Sequence, residues 1–213
     1  MEERRFAMGN NLKDLKMAKK RDHKVLITDE AINKVPRIQY KDIPENEYDN
    51  IQELARSVLR VSKEENNSNE VAITYALESV SYIQKNEEYI GVAIGEEHGV
   101  DPLNSTVAYH LIKGGGNCIV IVLHNHPSLS DFSISDVEFL LQHDKIKMMV
   151  VVTNLGSITY LVKTDKYNYY KAVELINTAI SMNNEAKNLK DLQDAADYFL
   201  KKCDTVGIAY DNR

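Results

Sequence analysis

Only two cysteines occur in the 213 residues, Cys118 and Cys203, far apart and without Cys-x-x-Cys spacing. Such scarcity leaves no disulfide framework, and a reducing, cytoplasmic setting is the simplest expectation, with a single disulfide left open. Long apolar runs are missing too. The longest, residues 119–123 and 148–152, fall far short of the roughly 20 residues that a membrane-spanning helix needs. Arg4 and Arg5 stand near the N-terminus with no apolar stretch after them, so no cleaved signal peptide is expected. Neither an internal repeat nor a low-complexity tract is present.

Negative charge dominates, but unevenly. The first 24 residues hold eight Lys/Arg against four Asp/Glu, a local excess of +4, which leaves about −10 for the rest of a chain whose net charge is −6. A body that acidic repels phosphate backbones and disfavours nucleic-acid binding. The basic segment reads either as a solvated arm or as a contact for an anionic partner. Hydrophobic residues at 43% and charged residues at 27% are ordinary for a globular protein, and the length suits one good-sized core with extensions.

Residues 1–24 carry a thin helical stripe of Phe6, Met8, Leu12, Leu15 and Ala18, and residues 25–46, with two prolines, read as a linker or an arm wrapping the domain. Ile51, Leu54, Ala55, Val58 and Leu59 recur at helical spacing and predict an amphipathic helix over 49–61, with a turn over 63–69. Apolar, partly β-branched runs predict strands over 71–77 and 89–94. A short helix over 104–113 closes at Gly114-Gly115-Gly116. Residues 117–123 form a buried strand with no polar face, 135–143 a helix, 148–153 a second buried strand and 157–162 its hairpin partner. Two helices, 169–182 and 185–202, end the chain. The class is α/β or α+β with a mixed sheet flanked by helices. The expected division is a basic arm and linker over 1–48, a main domain over 49–165 and a helical C-terminal extension over 166–213.

The informative segment is His124-Asn125-His126-Pro127 followed by Ser133-Ile134-Ser135-Asp136. On an extended backbone residues i and i+2 point to one side, so both imidazoles converge. Pro127 stops the strand, the polar loop after it turns back, and Asp136 arrives in the first turn of the next helix. Two imidazoles and a carboxylate suffice for a catalytic zinc ion with a position left for water. A humbler reading stands beside it: Ser133-x-x-Asp136 and Ser135-x-x-Glu138 each fit a helix capping box.

His-x-His-Pro followed by Ser-x-x-Asp resembles the signature of the JAB/MPN/JAMM metalloproteases, and His124-Asn125-His126-Pro127-Ser128 is most similar to their RadC-related bacterial branch. The resemblance covers about residues 50–165. Nine residues separate His126 from Asp136, one fewer than the commoner family spacing, and no helix-hairpin-helix region of the RadC kind precedes the domain. The resemblance implies a cytoplasmic zinc peptidase or isopeptidase with His124, His126 and Asp136 as ligands. It implies a glutamate general base at the start of the first strand, the place of Glu70, and an oxyanion-stabilising hydroxyl, that of Ser133. Glu87 and Glu88 are rivals for the base, then Glu96 and Glu97. The substrate would be a protein or peptide, gripped by the N-terminal arm, the C-terminal helices or a partner protein. Two other readings stay open, a non-catalytic scaffold of the same family and a RadC-like role in DNA metabolism.

Four other signals do not point to a function on their own. The three glycines lack the Lys-Ser/Thr of a phosphate cradle, and His143 lies ~10 Å along its helix from Asp136. His23, His98 and His110 have no partner spacing. Tyr167, Tyr169 and Tyr170 read as packing or as a recognition surface.

Overall fold

The computed structural model describes residues 24–77, 90–114, 119–128 and 130–212. The arm of residues 1–23, Cys118, Glu87 and Glu88 lie outside them. Six strands, β1 (Val71–Ala76), β2 (Ile90–Ile94), β3 (Val120–His126), β4 (Ile146–Thr153), β5 (Ile158–Lys163) and β6 (Ile208–Asn212), form one sheet in the order β2-β1-β3-β4-β5-β6. β3 and β4 run parallel and every other neighbouring pair antiparallel. Among the described residues six α-helices flank this mixed sheet: α1 (Asp29–Lys34), α2 (Tyr48–Glu65), α3 (Thr106–Lys113), α4 (Ile134–Gln142), α5 (Tyr169–Glu185) and α6 (Leu189–Leu200). The fold is α+β. Among the described residues no helix is long and apolar enough to cross a membrane.

Strand alternation divides the core in two. Ile73, Tyr75, Ile121, Leu123, Val150, Val152 and Tyr160 face one side, where α2 lays down Ile51, Ala55, Val58 and Leu59 at successive helical turns. On the other side Val120, Val122, Met149, Val151, Leu161 and Ile208 meet α4, α5 and α6 through Val137, Leu140, Ile176 and Phe199. Each fully buried side chain of this size contributes about 1.5–3 kcal/mol, so these two layers hold the sheet between its helices.

One segment takes one of its two expected forms, and another differs from the expectation. Residues 25–46 are an arm packed into the first core, since Ile27, Ile32, Val35, Ile38, Tyr40 and Ile43 are all buried there. Within the arm, α1 starts at the cap Thr28, whose hydroxyl accepts from the Ala31 amide; with only Ala31 and Ile32 buried, it is too short to show a period. The C-terminal segment is not wholly helical. After α6 the chain turns at Gly207 (φ 78°), where a Cβ would lie 2.2 Å from the Lys166 backbone, and β6 then pairs antiparallel with β5. Glycine alone tolerates both the left-handed backbone and that approach. The helix over 49–61 runs on to Glu65, and β3 extends through His126.

Candidate metal centre

The two histidines stand at the carboxyl end of β3, on the face that carries α4. Ala72 of β1 lies opposite His124, and Glu70, two residues earlier, projects from that same face. Asn125 between the histidines points through to the other face, where a polar side chain in an apolar strand must find partners. Its Oδ1 accepts from the Val71 amide at 2.8 Å, and its Nδ2 donates to Asn154 Oδ1 (2.8 Å), Asn69 O (3.2 Å) and Ser62 Oγ (3.2 Å). Asn154 donates in turn to Val25 O and Ser68 O. This buried network clamps the strand end behind the imidazoles.

Asp136 reaches the histidines from the first turn of α4. Ser133 caps that helix, its hydroxyl accepting from the Asp136 amide at 3.2 Å and donating to Asp136 Oδ2 at 2.7 Å, while the Ser133 amide donates to the same oxygen at 2.7 Å. The capping box and the candidate ligand set thus share one carboxylate. Oδ2 is occupied by the cap, and Oδ1 faces His124 Nε2 at 3.3 Å; His126 Nε2 lies 3.6 Å from Oδ2 and 3.0 Å from His124 Nε2. The loop, one residue shorter than the resemblance expects, still delivers the carboxylate.

A tetrahedral ion with bonds of 2.0–2.1 Å has neighbouring ligand atoms roughly 3.3 Å apart. His124 Nε2 lies 3.3 Å from Asp136 Oδ1 and 3.0 Å from His126 Nε2, close to that value, while the 3.6 Å from His126 Nε2 runs to the other carboxylate oxygen. The tautomers fit as well. His126 Nδ1 lies 3.0 Å from the Ser130 carbonyl, which only accepts, so Nδ1 carries the proton and Nε2 is bare toward the cluster. Two imidazole nitrogens 3.0 Å apart repel unless a cation, proton or metal, lies between them. His124, His126 and Asp136 are the one group of three or more His, Cys, Asp or Glu among the described residues whose ligand atoms converge in this way. His143 stays apart, its Nδ1 donating to Phe139 O.

The electrostatics set the two carboxyl groups against each other. Burial opposes ionisation of Asp136, yet His124, then His126, then the Ser133 hydroxyl outweigh it and hold Asp136 well below the usual carboxylate range. Glu70 is pushed the other way. Burial first, then the charge of Asp136, raise it well above its ordinary value against a hydrogen bond from the Val100 amide. A buried glutamate whose affinity for its proton is raised by a neighbouring carboxylate is the environment in which a carboxyl exchanges protons readily. Glu96 and Glu97, by contrast, are exposed, and the Glu96 carbonyl only accepts from the Glu70 amide.

Ser133 stands where the sequence reading put it, but its proton is committed to Asp136 Oδ2. Residues that the sequence reading passed over are Asn125, Asn154, Ser130 and Val100. Asn125 alone left a signal, as a polar residue on the inward phase of an apolar strand. Comparison with protein-family models, with curated proteins and with solved structures finds no match for this chain.

Proposed function

We propose that this chain is a metal-dependent hydrolase of the JAB/MPN type, with zinc as the ion, that cleaves a peptide or isopeptide amide bond. The observation that carries the reading is the convergence of His124, His126 and Asp136 within 4.8 Å, with the buried carboxyl of Glu70 raised above its ordinary value by burial and by the charge of Asp136. Two imidazoles and a carboxylate also suit ferrous iron, and Glu70 is the feature that favours hydrolysis. When bound, the ion supplies Lewis acidity toward the attacking water and the amide carbonyl.

The remaining chemistry belongs to the chain. Glu70, as its carboxylate, takes the proton of the attacking water and hands it to the departing nitrogen, a shuttle favoured by a carboxyl whose affinity for the proton is raised. The Val100 amide orients that carboxyl. Ser133 holds Asp136 in the resting arrangement, and serves as an oxyanion donor only by turning its hydroxyl away from Oδ2 toward the substrate. His126 keeps its bare nitrogen inward because the Ser130 carbonyl holds the proton on the far side.

Incubating the zinc-loaded protein with a panel of linear peptides and lysine isopeptides tests the proposal. Cleavage of at least one is expected, lost on chelation and regained on adding zinc. Cleavage that persists in chelator would assign the chemistry to other residues.

A further inference from the structure

The loop between β3 and α4 does more than join ligand to ligand. Ser130 offers its carbonyl to His126 Nδ1 at 3.0 Å, and its hydroxyl lies 3.3 Å from the same nitrogen and 2.7 Å from the Ser128 hydroxyl. The next residue, Asp131, is gripped from the opposite edge of the sheet. Its Oδ2 accepts from the Tyr210 hydroxyl and, at 3.5 Å, from Asn212 Nδ2, while its Oδ1 accepts from the Phe132 amide at 2.7 Å. Tyr210 and Asn212 both belong to β6, three strands away from β3, a span of roughly 14 Å at the usual interstrand spacing. Leu161 of β5 lies opposite Tyr210, so the phenol rises from the face that carries the histidines. Asp131 is therefore held by the C-terminal strand, and Ser130 is bonded directly to it along the chain.

We infer that Tyr210 is a positioning residue of the metal centre, acting through Asp131 and the Ser130 carbonyl to fix the tautomer and orientation of the His126 ring. The inference rests on the metal reading of His124, His126 and Asp136. Outer-shell partners that orient a ligating imidazole change metal affinity by 10–100-fold when lost. Tyr210 acts one link farther out, so the low end of that range applies. The coupling is reciprocal: an ion that fixes His126 also tightens the loop on Asp131 and thereby holds β6 against β5.

The experiment measures zinc affinity by competition with a chromophoric chelator, and the His126 tautomer by nitrogen-15 imidazole shifts in the metal-free protein. Parent, Tyr210→Phe, Asp131→Ala and the double variant are compared. Tyr167→Phe is the control, because it removes a buried hydroxyl that has no hydrogen-bond partner. About tenfold weaker zinc binding is expected in Tyr210→Phe, together with a mixed His126 tautomer, and the control should match the parent. The double variant should be no weaker than Asp131→Ala, since both changes cut one chain of contacts. Zinc should slow amide exchange across Ile208–Asn212 in the parent and much less in Tyr210→Phe. Unchanged affinity and an unchanged tautomer in Tyr210→Phe, with the parent binding zinc, would overturn the inference and leave the metal centre standing. A parent that takes up no zinc would remove both.

Discussion

Replacing Glu70 by glutamine is expected to lower turnover by about 10²–10⁴-fold, the usual worth of a positioned proton-transfer group, while zinc content per chain stays unchanged. The amide keeps the size of the carboxyl and its acceptor toward the Val100 amide, but cannot take a proton from water. Stability should move in the opposite direction to activity. Glu70 is raised above its ordinary value by burial and by Asp136, so the fold favours its neutral form. That contribution is complete below the ordinary carboxyl value and is lost as pH rises through the raised one. Glutamine has no such loss. In chelated protein the variant should therefore gain on the parent as pH rises from about 4.5 toward neutrality, and a bound divalent cation should narrow the gap by favouring the carboxylate. Urea titrations of both proteins at several pH values, beside turnover rates, check this. Full turnover with zinc bound would assign the base elsewhere.

The second large effect lies behind the site. Asn125→Ala leaves the Val71 amide and Asn154 Oδ1 without their partner and removes the donor to Asn69 O and Ser62 Oγ. Each buried polar group orphaned in this way costs about 1–3 kcal/mol, so a loss of about 3–5 kcal/mol is expected, a large share of the about 5–15 kcal/mol of a typical domain. Asn125→Asp should not rescue it, because a carboxylate still accepts from Val71 but faces the acceptors Asn69 O and Asn154 Oδ1. Denaturant unfolding gives the value directly. A change below about 1 kcal/mol would mean that water replaces the network and that the strand end is held by other contacts.

Much of the frame could be read from residue order. The stripe from Ile51 to Leu59 and the unbroken apolar run before His124 follow from periodicity alone; the helix forms over that stripe and the strand over that run, each continuing a few residues past its expected end. The convergence of His124, His126 and Asp136 was legible for the same reason, since alternation and one helical turn fix their directions within a few residues. What escaped depends on distance along the chain. Residues 25–46 show no period because short pieces of extended chain bury Ile27, Val35 and Ile43 one at a time. Strand β6 is five residues with one buried, and only the edge of β5 makes it a strand. The hold of Tyr210 on Asp131, 79 residues away, leaves no trace in local composition. Ser133 shows the limit from the other side: a capping box and a candidate ligand set claim the same Asp136 in the sequence, yet its two oxygens leave room for both.

The central claim is that His124, His126 and Asp136 hold one divalent ion, and elemental analysis of protein purified without added metal tests it most directly, with Asp136→Ala beside the parent. The account predicts close to one zinc per chain in the parent and far less in the variant. No zinc in the parent, and none taken up when it is supplied, would contradict the account.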